Sequence, residues 1–149
     1  MFTLTYTGSR LPRALGLAGV VPFIALGLAS HVEWTHQDAV QFALISYGAL
    51  ILAFVGALQW GLAMRQSGPL AARAYFWSVI PALIAWVALN FPPIGGVLIL
   101  IVGLWTDYLQ DRMTAPALQA PHWYTPLRLR LTVGATLGLA VAVPAIWGA

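Results

Sequence analysis

The chain has 149 residues, 60% of them hydrophobic and only 7% charged, with a mean hydropathy of +0.83. A soluble fold could not cover so much apolar surface, which excludes a water-soluble enzyme domain and leaves no length for one beside a membrane bundle. Cysteine is absent, which excludes disulfides, thiolate metal sites, iron–sulfur clusters and cysteine nucleophiles. The net charge of +3 comes from seven arginines at the ends of apolar runs, with no basic face to bind nucleic acid.

The pattern predicts an all-α, polytopic integral membrane protein: one membrane domain over 1–149, with five transmembrane helices at about 14–30, 39–64, 74–90, 93–110 and 128–147. The first span follows a polar start ending in Arg10, Pro12 and Arg13, and Pro22 is expected to kink it. A positive start before an apolar run also suits a cleaved signal peptide; the segment is expected to be retained as a span. Thr35 to Asp38 then fits a capping box opening the second span. That span is long enough to tilt or protrude.

Within it, Ala49, Ala53, Ala57 and Gly61 recur every four residues beside a second row of Gly48, Leu52 and Gly56. Rows of small residues let helix backbones approach closely in lipid. Arg65 to Arg73, containing Ser67-Gly68-Pro69, reads as a turn before the third span. Asn90-Phe91-Pro92-Pro93 ends that span and starts the fourth, giving a tight antiparallel hairpin. Residues 113–127 are broken by Pro116, Pro121 and Pro126, and His122-Trp123-Tyr124 suits an interfacial anchor. The last span carries Gly134 and Gly138, a G-x-x-x-G pair suited to close packing.

Five spans put the termini on opposite sides, and all seven arginines then fall on one side. The positive-inside rule places the N-terminus in the cytoplasm and the C-terminus on the opposite side.

Two stretches resemble the uncharacterised membrane family DUF3429, the transmembrane protein 69-like proteins. These are Tyr47-Gly48 with Gly56-Ala57-x-x-Trp60-Gly61, and Trp123-Tyr124-x-x-Leu127-Arg128-x-x-Leu131-Thr132 before the last span. The early Pro12 to Phe23 segment is also similar, so the resemblance covers almost the whole chain. It implies a multi-span protein of the bacterial inner (plasma) membrane, or of the mitochondrial inner membrane in a eukaryote. It implies no established activity.

Gln41, Gly48 and Gln59 share one helical face, because eighteen residues make five turns. Amides at each end of a glycine seam fit a cavity for a lipophilic head group; interfacial amides and packing glycines account for the same residues. Asp107 is the most deeply placed acid of a predicted span, suited to proton transfer or to an ion pair with Arg128 or Arg130, and the ion pair is the expectation. Gln59, Trp60, Trp123, Tyr124, Arg128 and Arg130 are candidates for lipid or partner binding, with arginine forks on phosphate. His31, Glu33, His36 and Asp38 mix imidazoles and carboxylates, but their spacing matches no ligand motif and no metal is expected.

No nucleophile–base pair, phosphate loop or paired carboxylate stands out, and no catalytic residue or cofactor is predicted. The expected role is interaction: an accessory or assembly subunit whose small-residue rows pack against a membrane-protein partner or a second copy, among membrane lipids. The alternative is a carrier or binding protein for a lipophilic molecule such as a lipid or quinone, held between spans two and four.

Overall fold

The computed structural model describes residues 10–32 and 36–148. The described helices are α1 (Arg10–Ala18), α2 (Val21–Ala29), α3 (Gln37–Ala63), α4 (Gly68–Ala88), α5 (Pro93–Thr114) and α6 (Tyr124–Trp147). Taking Arg10–Ala29 as one element, five helices are long and apolar enough to cross a membrane, as expected of a polytopic helical bundle.

The first span breaks one turn earlier than Pro22 suggests, at Gly19 and Val20. Pro22 falls in the first turn of α2, where a missing N–H costs nothing because first-turn amides have no helical partner. Backbone released at the break needs outside partners in a bilayer. Tyr47 of α3 supplies one: its hydroxyl donates to the Gly19 carbonyl at 2.8 Å. Its ring also meets Phe23 edge-on, with centroids 5.0 Å apart.

Three other boundaries move for related reasons. Helix α4 starts at Gly68, with Pro69 in its first turn, so the residues to Arg73 are helical rather than a turn. Gly68 has φ +70, a left-handed conformation that glycine adopts without strain. Helix α5 runs past 110 to Thr114, and α6 opens at Tyr124 with Pro126 inside its first turn. The capping-box threonine and Glu33 lie outside the described residues; His36 is the N-cap of α3 and makes no side-chain capping bond.

Helix α3 packs against α2, α4, α5 and α6, and its glycine row is the reason. A Cβ on Gly48 would sit 2.9 Å from Leu100 of α5, and one on Gly56 would sit 2.6 Å from the Pro81 ring of α4. Gly103 of α5 faces Leu52 and Ile84 in the same way. Gly134 and Gly138 seat α6 against Val20 and the Phe23 backbone, and Gly27 of α2 lies against the Gly138 carbonyl. Phe23, Leu44, Leu52, Leu100 and Leu139 fill the centre between these seams.

The alanine row behaves differently. Ala49 is buried, Ala53 half-buried, and Ala57 and Gly61 are exposed. A four-residue step overshoots a full turn by roughly 40°, so a row of four drifts from the interior to the surface, and the shorter glycine row stays inside.

These contacts predict opposite outcomes for the same change on one helix. Gly56→Ala should lower stability by about 1–3 kcal/mol, since its methyl meets a rigid proline ring. Gly61→Ala should be neutral or gain up to about 1 kcal/mol, because nothing lies within 4 Å of its Cβ position. Thermal unfolding of both variants in detergent checks the contrast.

Candidate functional site

At the arginine-bearing end, three helices bring five polar side chains together. Asp107 and Asp111 are one turn apart on α5, and Tyr124 and Arg128 are one turn apart on α6, so each pair projects from one helical face. Arg128 Nε donates to Asp111 Oδ2 at 2.6 Å, and its Nη2 donates to Asp107 Oδ2. The Tyr124 hydroxyl donates to the same Asp111 Oδ2 at 2.9 Å. From α3, Gln59 Nε2 donates to Asp111 Oδ1 at 2.9 Å.

The cluster is shut away: Arg128 is 2% exposed, Asp111 and Gln59 1%, and Asp107 4%. Removing two carboxylates and a guanidinium from water is costly, and only close pairing with satisfied oxygens offsets it. Asp111 meets that need with three donors from two neighbouring helices. With both aspartates ionised, the cluster holds two negative charges against one positive. Arg65, Arg73, Arg112 and Arg130 are exposed, and no described ion pair joins any of them to it.

Beside the cluster lies a crevice of about 550 Å³, walled by α1, α3, α6 and the segment before α6; Leu15, Phe54, Leu58, Trp123 and Leu131 line it, and Tyr124 and Arg128 mark its polar edge. It adjoins an inner cavity of about 110 Å³ whose polar lining residues are Arg128 and Thr132. Leu15, Gly16, Phe54, Val55, Arg128 and Leu131 line both. Thr132 is 1% exposed, and its hydroxyl has no hydrogen-bond partner.

The two family-like stretches therefore meet, through Asp111. Gln59 reaches the cluster, and Gly61, Trp123 and Tyr124 share the crevice wall. Trp60 is instead half-exposed and packs edge-on with Tyr75 of α4. Asp107 pairs with Arg128, as one of its two expected partners; Arg130 points outward. Arg128 is held by its own carboxylates, so its fork does not face a lipid phosphate. The seam between spans two and four, where the alternative reading places a lipophilic ligand, is closed by Leu100 over Gly48 and Leu52 against Gly103.

His31 bonds through Nε2 to the Val141 carbonyl at 2.6 Å and fastens the end of α2 to α6. Among the described residues no three His, Cys, Asp or Glu side chains form a metal-holding group. Gln41 is buried at the other end of α3, beside a cavity of about 170 Å³. Asp111 is the residue that sequence reasoning missed, having been placed beyond the end of the fourth span. Its signal was the four-residue spacing from Asp107, matched by the spacing of Tyr124 and Arg128.

Fold and cluster define a small polytopic membrane protein held by a buried charge network. The chain belongs to the family described as "Protein of unknown function (DUF3429)", whose model matches residues 9–144. It is similar to "Transmembrane protein 69" of Xenopus tropicalis, 36% identical over 132 residues, covering 84% of this chain and 50% of that protein. It is also similar to "Transmembrane protein 69" of Mus musculus, 30% identical over 148 residues, covering 95% of this chain and 59% of that protein. The chain thus spans between half and three-fifths of the curated relatives it matches. No solved structure matches it.

Removing the cation should be the most damaging change in the cluster. Arg128→Met leaves two buried carboxylates without a counter-charge and should cost about 3–5 kcal/mol. Asp111→Ala should cost more than Asp107→Ala, because it also strands Gln59 and Tyr124. Denaturant unfolding of the three variants in detergent gives the ranking.

Proposed function

We propose that this protein is a membrane-embedded binding protein for a lipophilic molecule, which lies in the crevice between α1, α3 and α6. The observation that carries this reading is the crevice itself. Its volume of about 550 Å³ falls within the range of small-molecule sites, and its lining is apolar with a polar edge at Tyr124 and Arg128. Apolar walls with a few fixed polar groups suit a molecule with a long apolar body and a small head.

The crevice lies against helices that reach the bilayer, so such a molecule can enter from the lipid phase. The reading in which the protein serves as an accessory subunit rested on small-residue rows as a docking surface. Gly48, Gly56, Gly134 and Gly138 of those rows are occupied by side chains and backbone of this chain. Their small size serves the fold, and the crevice is what the described residues leave open.

Orientation follows from the arginines. With the arginine-bearing end in the cytoplasm, the cluster and the polar edge of the crevice sit near the cytoplasmic face. The membrane is the inner (plasma) membrane of a bacterium, or the mitochondrial inner membrane of a eukaryote.

Native mass spectrometry of the chain from a mild detergent extract tests the reading. A retained lipophilic adduct is expected. It should be depleted in Gly61→Leu, whose Cβ enters open space on the crevice wall and whose side chain takes up room there. An empty wild-type bundle, or equal occupancy in the variant, would contradict it.

A further inference from the structure

The crevice ends on polar groups of one helix, and their charge balance restricts what can lie against them. We infer that the site selects an uncharged lipophile carrying a hydrogen-bond-accepting oxygen, such as the carbonyl of a quinone or of a glyceride ester, over an anionic phospholipid. This rests on the crevice being the binding site, as proposed above.

Three observations carry the inference. The first is that Arg128, the cation at the crevice edge, is already paired. Its Nε and Nη2 are engaged by Asp111 and Asp107, so an incoming phosphate would meet a guanidinium whose charge is already met at close range. An anion in that low-dielectric setting would lose its hydration without gaining an unpaired cation in return.

The second observation concerns the opposite sign. The carboxylates do not line the crevice or the inner cavity; the group with charge that does is Arg128. A cationic head would therefore contact a guanidinium first. Neither sign of charge is accommodated, and a neutral head is.

The third is the hydrogen-bonding capacity left over. The Thr132 hydroxyl is buried with no partner, and Arg128 Nη1 has none among the described residues. The two residues are one turn apart on α6 and both line the inner cavity; the hydroxyl is covered there, and a rotation of the Thr132 side chain would bring it beside Nη1 as a second donor to a ligand oxygen. A buried hydroxyl without a partner is costly, and a ligand oxygen would relieve it. The inner cavity, at about 110 Å³, is smaller than the ~150 Å³ that holds a benzene ring. It suits the oxygen-bearing edge of a head, with the rest of the molecule in the outer crevice.

The test uses delipidated full chain in detergent micelles, titrated by native mass spectrometry with three probes: decylubiquinone, dioctanoylglycerol and dioctanoyl phosphatidylglycerol. One or both neutral probes should bind, and the anionic one should bind at least tenfold more weakly. The tighter of the two neutral probes assigns the oxygen to a quinone or to a glyceride. Thr132→Val, which keeps the shape and removes the hydroxyl, should weaken the neutral probe roughly 3- to 10-fold. The variant should melt no lower than wild type, since it removes a buried hydroxyl that has no partner. Phosphatidylglycerol binding as tightly as the neutral probes, or unchanged affinity in Thr132→Val, would overturn the inference while leaving the crevice as a binding site. Binding of none of the probes would overturn both.

Discussion

The guanidinium of Arg128, buried between Asp107 and Asp111, constrains everything around it. A charge removed from water has to be met at close range, so α5 and α6 are fixed in rotation and in height where their paired side chains face each other. Asp111 has an oxygen to spare, and Gln59 fills it from α3. One carboxylate thereby sets the mutual position of the three helices that wall the core. The crevice lies on the far side of the same arginine, so its polar edge is a consequence of how the bundle is locked.

Away from the cluster the fold relies on contact without charge. Helices in lipid gain little from burying apolar surface against one another, so close approach and dispersion have to hold them. The glycines at 48, 56, 103, 134 and 138 each accept a neighbour where a Cβ would collide. The break between α1 and α2 is the exception to regular packing, and Tyr47 closes it by bonding the Gly19 carbonyl. Polar contacts thus tie the arginine-bearing end and the break within the first span, while the rest of the bundle is held by shape.

Much of this was legible in the sequence, and the parts that were not share a cause. Five apolar runs and the one-sided arginines fix the class, because composition and charge position act over whole spans. The errors came from reading proline and charge as boundaries. Pro69, Pro22 and Pro126 sit in first turns, where they are tolerated, so α4 and α6 begin earlier than expected and α2 begins one residue before its proline. The charges from Asp107 to Arg112 look like an exit from the membrane; yet Asp107 and Asp111 turn inward and Arg112 outward. Which face a charge takes depends on the partner across the interface, and that partner lies 17 residues further along the chain.

The central claim is that α3 and α6 are coupled through a carboxylate belonging to neither. A double-mutant cycle between Gln59→Leu and Tyr124→Phe measures it most directly, since the two side chains share Asp111 as partner. Unfolding free energies in detergent should be non-additive by about 0.5–3 kcal/mol, as for residues in one hydrogen-bond network. Additivity to within about 0.3–0.5 kcal/mol, as found for independent sites, would contradict the claim.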